Sequence, residues 1–454
     1  MRTDISTCQV SLDDDTALQH WNGVIHGVLC HGQQTGDHLN ALLAAAPDFA
    51  MGQAMKGLAC LMLGRRELVQ VAQDACDDAF KKLDLGGATK RERLWCEALA
   101  EWLAGKPSNS IAKMEQALVL NPADTISMKL SHGIRFMLGD HKGMLWSIER
   151  SIIAHDESHP LYGYALGCRA FALEEVGRYA EAEQIGRRGL GFARDDAWGL
   201  HAVAHVYDMT HLTAQGIALI DNFPDAWSHC NNFRFHVWWH KALLHLDQGE
   251  IETVLNLYDT KIRDEKTDDY RDFSNASSLL LRLELEGVDV GNRWDELSLL
   301  AEKRSNDGCL TFADMHYMLA LMGDKTEKGA SRLTRRVIET AQTNDDVGRV
   351  MRTPGVDLSK GIEAFGEADY ATAFNFLKGA QPQFQSMGGS HAQRDVFERL
   401  TIQAGLRAGR LEDTEQLLGT RTALRGNQED SFAASRMAKI QELRSGPTLF
   451  TAAE

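Results

Sequence analysis

The chain has 454 residues, of which 44% are hydrophobic and 25% charged, an ordinary globular composition that can bury a large core. Its 48 Lys and Arg against 64 Asp and Glu give a net charge of −16, and no basic run occurs. These values argue against nucleic acid and anionic membranes as partners. The most apolar stretch, residues 54–63, is too short to span a bilayer, so we expect no membrane segment.

The first residues and the cysteines both indicate a cellular compartment. The start, MRTDISTCQVSLDDD, is polar and acidic, so we expect no signal peptide. The eight cysteines are scattered along the chain without a Cys-x-x-Cys pair. That pattern is typical of reduced and mostly buried thiols rather than of a disulfide framework. The sequence therefore predicts a cytoplasmic protein.

Helical patterns run through nearly the whole chain. The few prolines include Pro47, Pro122 and Pro160, which stand where helices are expected to begin. A distance of 38 residues separates Pro122 from Pro160, and a repeat of this length is typical of a helical solenoid. We predict an all-α fold with more than about 60% helix, forming one continuous domain over residues 1–454. The expected helix breaks within the hairpins fall at Gly64, Gly139, Gly177 and Gly249.

One repeat has a recognisable type. Residues 161–196 resemble a tetratricopeptide repeat (TPR), with the small residues Ala170 and Ala182 where two helices must approach closely and a turn at Gly177. The other repeats are degenerate. Stacked repeats of this kind form an α-solenoid that curls into a superhelix, and its concave face commonly binds peptides. A protein-interaction scaffold is therefore one of two functions that the sequence allows.

Whole segments are similar to a more specific group, the tetratricopeptide repeat protein 38 family. The similarity covers roughly residues 15–440, in the family's order. The segments that carry it are HAVAHVYDM (201–209), the Trp227 to His240 stretch, GEIETVLNLYD (249–259), SLLLRLELEGVDVGNRW (278–294), FADMHYMLA (312–320) and GGSHAQRDVFERL (388–400). Asp208 departs from the family, which favours Glu there. The resemblance implies a shared fold and pocket but names no reaction.

The most distinctive segment, residues 201–240, contains two His-x3-His pairs, His201/His205 and His236/His240. Residues four apart lie on one face of a helix, so each pair directs two imidazoles to one place. Two neighbouring helices can thus supply up to four nitrogen ligands to Zn, Fe, Mn or Ni, with Asp208 ligating or orienting an imidazole. The alternatives are a His-lined pocket for a small molecule without metal, in which these five residues are catalytic, and plain structural packing.

Polar residues elsewhere are candidates for binding a substrate. Trp227 and Trp239 flank the second histidine pair, and Asp314 with His316 interrupts an apolar helix. A third group follows a Gly-Gly joint, with Ser390 as the expected helix N-cap, and contains His391, Arg394 and Asp395. Arg394 near a helix N-terminus is suited to an anionic substrate, whereas the structural alternative is a buried Arg–Asp pair. These groups meet the histidines only if the solenoid curls back.

Two hypotheses follow from these patterns. The first is an enzyme or small-molecule-binding protein with a His-rich internal pocket, in which an imidazole can serve as general base. The second is a scaffold that binds a peptide on its concave face. The first is favoured because the distinctive residues are His, Asp, Arg and Trp inside the repeats. We also expect a homodimer, because the tail SGPTLFTAAE is too short to cap the last repeat.

Overall fold

The computed structural model describes residues 1–445, and it is helical over about three quarters of the chain. The prediction of an all-α solenoid is therefore confirmed. Within the described residues the only sheet is a two-stranded hairpin of β1 (Arg2–Thr3) and β2 (Gln9–Val10). None of the described helices combines the length and the apolar character that a membrane span requires. Most of the predicted tail, residues 446–454, lies outside the described residues.

The helices follow one another as antiparallel hairpins. Those of the first half are α1 Asp15–Cys30, α2 Thr35–Ala45, α3 Ala50–Met62, α4 Arg66–Asp84, α5 Lys90–Leu103, α6 Pro107–Leu120, α7 Thr125–Met137, α8 His141–Ser151, α9 Tyr162–Glu174, α10 Tyr179–Phe192, α11 Ala197–Met209 and α12 Thr213–Asn222. Those of the second half are α13 Phe233–Asp247, α14 Ile251–Leu257, α15 Tyr270–Leu285, α16 Arg293–Arg304, α17 Thr311–Gly323, α18 Glu327–Thr340, α19 Asp346–Val350, α20 Val356–Gly366, α21 Tyr370–Ala380, α22 His391–Arg407, α23 Leu411–Leu424 and α24 Ser431–Ser445.

Glycines end the first helix of several hairpins, as the sequence predicts. Gly64, Gly139, Gly177 and Gly249 all have positive φ, the left-handed conformation that terminates a helix without the strain a side chain would cause. Gly139 is required for a second reason, because a Cβ there would lie 1.8 Å from the carbonyl oxygen of Gln385. This glycine therefore allows two distant parts of the chain to touch.

The predicted position of three prolines is wrong by a few residues. Pro47, Pro122 and Pro160 lie in the turns two or three residues before α3, α7 and α9, not in the first helical turn. Their fixed φ suits these turns equally well, so they still mark the helix boundaries. Pro107 occupies the first-turn position at the start of α6.

The solenoid curls so far that its second half packs along its first half. Arg304 pairs with Glu67 at 2.7 Å, the Asp346 amide donates to the Gly105 carbonyl at 3.0 Å, and Arg425 pairs with Asp208 at 2.9 Å. The residues in these contacts are separated by between 217 and 241 positions in the sequence. A superhelical turn thus takes somewhat more than 200 residues, and successive turns touch.

Candidate metal centre

Helices α11 and α13 bring the two histidine pairs together. Helix α11 follows Asp196 and carries His201 and His205, and α13 carries His236 and His240. The short helix α12 lies between them in sequence, which makes α11 and α13 the equivalent helices of neighbouring hairpins. Because each pair is spaced i, i+4, both imidazoles of a helix point to the same side.

The four imidazoles meet through their Nε2 atoms and form what we call the four-histidine cluster. The Nε2 of His201 lies 2.9 Å from that of His205 and 3.0 Å from that of His236, and the Nε2 atoms of His236 and His240 are 3.2 Å apart. One nitrogen from each ring lies within 4.8 Å of every other. The predicted convergence of the two pairs is seen here, and what the imidazoles bind is the subject of the proposal below.

The cluster is dry. His201, His205 and His240 are at most 2% exposed, and only His236 is partly exposed. Aromatic rings cover the imidazoles: Phe171 stacks on His201 with centroids 5.4 Å apart, and Trp239 stacks on His236 at 5.2 Å. The four histidines do not line any of three cavities found within the described residues.

Burial sets the charge of the cluster. It lowers the pKa values of His201 and His240 well below the usual range and that of His236 to about 3, with the neighbouring imidazoles adding to the effect at His201 and His240. Burial acts the same way on His205, but the carboxylate of Glu174 outweighs it and raises the pKa of His205. Burial thus disfavours a proton on three of the four rings, whereas Glu174 favours one on His205.

The Nδ1 atoms of two rings, which point away from the centre of the cluster, face polar side chains of other helices. The Nδ1 of His236 donates to Asn275 Oδ1 at 2.8 Å, and the Nδ1 of His205 faces Glu174 Oε2 at 3.4 Å. A ring that carries its proton on Nδ1 presents a bare lone pair at Nε2. The Nε2 of His236 therefore presents a lone pair to the centre of the cluster.

The carboxylate beside the cluster is not the one that the sequence singled out. Asp208, expected to ligate or orient an imidazole, accepts a hydrogen bond from Arg425 at 2.9 Å. The residue that orients His205 is Glu174, fully buried at the end of α9 in the preceding hairpin. The pair Glu174 and Glu175, shortly before Gly177, was the feature of the sequence that could have indicated this carboxylate. Nothing in the spacing of these residues links Glu174 to His205.

Asp314 and His316 lie outside the cluster. Burial raises the pKa of Asp314 to about 6, although the carboxylate pairs with Arg336. The His316 Nδ1 donates to the carbonyl oxygen of Phe312 at 2.8 Å, and burial lowers the pKa of its imidazole to about 3. Both residues thus have partners within the second half of the solenoid, and neither touches the four histidines.

The residues that follow Gly388 and Gly389 also pack the two superhelical turns against each other. Ser390 caps α22 as predicted, and the His391 amide donates to Glu175 Oε1 at 3.0 Å. Arg394 Nη2 lies 3.5 Å from the same glutamate, so its charge is engaged with the protein rather than free for an anionic substrate. The buried Arg–Asp pairing does occur, but Asp395 makes it with other arginines at 2.6 Å, namely Arg399 and Arg421.

The two tryptophans have different surroundings. Trp227 donates through Nε1 to the carbonyl oxygen of Ile220 and packs edge-on against Trp238, at a centroid distance of 5.0 Å. Trp239 lies against both histidines of α13 and is fully buried. Of the two, only Trp239 belongs to the wall of the cluster.

Comparison with known proteins returns only distant likenesses. No protein-family model matches the chain. The chain is similar to a structure of the human IFIT1 dimer with PPP-AAAA, at 13% identity and a TM-score of 0.40, over 98% of each chain. It is also similar to a structure of Naa15/Naa10 bound to HypK-THB, at 12% identity and a TM-score of 0.24, over 94% of this chain and 66% of that one. At these scores the likenesses say nothing about function.

Proposed function

We propose that this protein is a metalloprotein, a TPR-like helical solenoid whose four-histidine cluster binds one divalent transition-metal ion. The observation that carries the proposal is the meeting of four imidazole nitrogens in a buried site, with Nε2 distances of 2.9 to 3.2 Å. Four imidazole nitrogens that meet at one point can all ligate a cation placed between them. Imidazole ligands suit Zn, Fe, Ni and Cu better than Mg or Ca, which prefer oxygen.

The side chains behind two of the imidazoles support the same proposal. Histidines that bind a metal usually donate their other N–H to a carboxylate or carbonyl group, which fixes the tautomer and the orientation of the ring. Glu174 stands in this position to His205, and Asn275 to His236. The Nδ1 atoms of His201, His205 and His240 make no hydrogen bond within the described chain, and that of His205 has only the ion-pair contact with Glu174. One ligand is thus oriented by a hydrogen bond, one by an ion pair and two by aromatic packing.

Metal analysis of protein purified without a histidine tag tests the proposal. We expect one equivalent of a transition metal per chain in the wild type and its loss in a His201→Gln/His236→Gln variant. The matched control is His211→Gln/His245→Gln, two histidines at the ends of the same helices that pair with Asp247 and Glu250 instead. Equal metal content in both variants, or a wild type that stays metal-free after reconstitution, would contradict the proposal.

A peptide-binding scaffold remains the second candidate, and one groove favours it. A cavity of about 790 Å³ lies between the two turns, lined by residues from both, including Arg135, Trp146 and Arg349. Trp146 is 52% exposed in it and lies under the guanidinium of Arg150. Selection of displayed peptides on the wild type and on Trp146→Ala tests this function. Peptides enriched equally on both proteins would speak against the groove.

Three further expectations stay proposals. The segments that resemble the tetratricopeptide repeat protein 38 family support membership of that family, and the scattered cysteines support a cytoplasmic location. All eight cysteines are free in the structure. The homodimer is tested by light scattering at micromolar concentration, where a monomer mass would refute it.

A further inference from the structure

The distances between the four imidazole rings differ from pair to pair, and the differences indicate a coordination geometry. Five of the six ring pairs in the cluster have centroids between 4.3 and 4.9 Å apart. The sixth pair, His205 with His236, makes no such ring contact, although one nitrogen of each lies within 4.8 Å of the other. Four groups placed evenly around one point would show six equal pairs. The cluster instead has five close pairs and one remote pair.

The ring distances discriminate between two coordination geometries. With a metal–nitrogen bond of about 2.05 Å, and the ring centre about 1.15 Å beyond the nitrogen, ligands at right angles have centroids ~4.5 Å apart. On the same estimate a tetrahedral pair is ~5.2 Å apart and an opposite pair ~6.4 Å. The five close pairs, at 4.3 to 4.9 Å, match right angles and fall below the tetrahedral value.

Two of three nitrogen–nitrogen distances in the cluster agree with right angles. Ligand atoms at right angles are ~2.9 Å apart and tetrahedral ones ~3.3 Å, for the same bond length. The Nε2 atoms of His201 lie 2.9 Å from His205 and 3.0 Å from His236, both at the right-angle value. The third distance, 3.2 Å between His236 and His240, lies between the two values. His205 and His236 are then the opposite pair.

We infer that the four histidines occupy four of the six positions of an octahedron and leave two adjacent positions open, one opposite His201 and one opposite His240. This inference rests on the proposed metal centre. It favours Fe, Mn, Co or Ni over structural zinc, which is four-coordinate. Two adjacent positions suit a small exogenous ligand that presents two donor atoms, such as a carboxylate.

The protein leaves both positions to an external ligand. Within the described residues, no other His, Cys, Asp or Glu belongs to the group formed by these four histidines. Glu174 faces the outer nitrogen of His205, on the side away from the centre, so it cannot fill either position. His236 is the one partly exposed ring of the cluster, and we place the route of the external ligand beside it. The site is therefore built to exchange a ligand rather than to hold an ion fully enclosed.

Cobalt substitution tests the inference separately from metal binding itself. The full chain is loaded with Co(II), its metal content is measured, and its visible spectrum is recorded before and after addition of azide or acetate. Six-coordinate Co(II) absorbs weakly, tetrahedral Co(II) strongly. We expect one cobalt per chain, weak bands, and a shift of those bands that saturates with azide and with acetate. X-ray absorption of the loaded protein is expected to show six nitrogen or oxygen neighbours.

The possible results distinguish the two open coordination positions from metal binding itself. Stoichiometric cobalt with the strong spectrum of a tetrahedral centre, unchanged by azide, overturns the open positions and leaves the metal centre intact. Failure to bind cobalt, zinc or iron in the wild type overturns the metal centre, and the open positions with it. The His211→Gln/His245→Gln variant must reproduce the wild-type spectrum, because a spectrum that depends on these outer histidines would place the cobalt elsewhere.

Discussion

Two buried polar clusters of this protein satisfy their groups in opposite ways. The first is the four-histidine cluster. The second, which we call the Arg–Asp network, joins α22 and α23 to the start of α24 and to α11, and it consists of Asp395, Arg399, Arg421, Arg425 and Asp430. In the network each carboxylate contacts more than one guanidinium. In the cluster four identical groups face one another.

The difference shows which cluster needs something from outside the chain. Burial alone would raise the pKa of Asp395, but Arg421 and Arg399 outweigh it and hold this pKa well below its usual value. The network is therefore charged, paired and complete as folded. The imidazoles have no such counterpart at their centre, and under the proposed function a cation supplies it. Burial of like groups that point at one another is what distinguishes this cluster from the network.

The largest expected effect comes from breaking the network. Asp430→Ala leaves Arg421 buried without the carboxylate that it contacts at 2.6 Å, and removing one partner of such a pair costs about 3–5 kcal/mol. Unfolding in urea is the measurement. Asp413→Ala, which removes an exposed partner of Lys378, is the control and is expected to cost less than about 1 kcal/mol. Metal content per folded chain is expected to stay unchanged in both variants.

Removal of the metal is expected to have the next largest effect. A ligand that binds only the folded state at a hundredfold excess over its Kd stabilises that state by about 2.7 kcal/mol, and a chelator removes this contribution. We expect thermal unfolding of the wild type to shift to lower temperature with chelator. In His201→Gln/His236→Gln the chelator should change nothing. A shift of the same size in this variant would mean that the stabilising ion binds elsewhere.

A smaller effect distinguishes the two carboxylates near His205. Glu174→Gln removes the negative charge that faces this imidazole, and loss of such a partner typically lowers metal affinity about 10–100-fold. Asp208→Asn, at the position that the sequence alone favours, is expected to leave affinity unchanged because Asp208 is bound by Arg425. Competition with a chromophoric chelator measures both affinities. The opposite ranking of the two variants would restore Asp208 as the orienting group.

The smallest expected effect on stability concerns Asp268, a partly exposed carboxylate that forms ion pairs between the two turns. Asp268 contacts Arg65 at 2.5 Å and Lys303 at 3.1 Å. Burial raises the pKa of Asp268, but these cations and Arg304 outweigh it and lower the pKa to about 2. A depressed carboxyl pKa contributes stability above about pH 4, and this contribution is lost as the pH falls towards 2. Solvent screening limits its size to about 1 kcal/mol.

Asp268→Asn measures that contribution by urea unfolding over the same pH range. The difference in unfolding free energy from the wild type should be constant near neutral pH and vanish near pH 2. A difference that persists at pH 2 would mean that Asp268 acts through packing instead of charge. Such a result would mean that the ion pairs of Asp268 do not stabilise the contact between the turns.

The sequence predicted what depends on local spacing and missed what depends on closure of the superhelix. The glycine turns and the aligned pair of His201 and His205 follow from the period of the helix. Glu174 belongs to a preceding hairpin, and its approach to His205 depends on how two hairpins stack. The contact of Arg425 with Asp208 spans 217 residues and depends on the pitch of the whole solenoid. No pattern within one repeat contains that pitch.

The long-range contacts between the turns also set an order of assembly on the ribosome. The contacts around the four-histidine cluster join residues 31 to 39 positions apart, from Glu174 to Asn275. The contact of Arg425 with Asp208 between the two turns needs about 150 further residues, which take about 8–30 s to synthesise at ordinary rates of translation. A nascent chain therefore completes its four imidazoles well before its last helices arrive, so the proposed ion can enter while the superhelix is still an open arc.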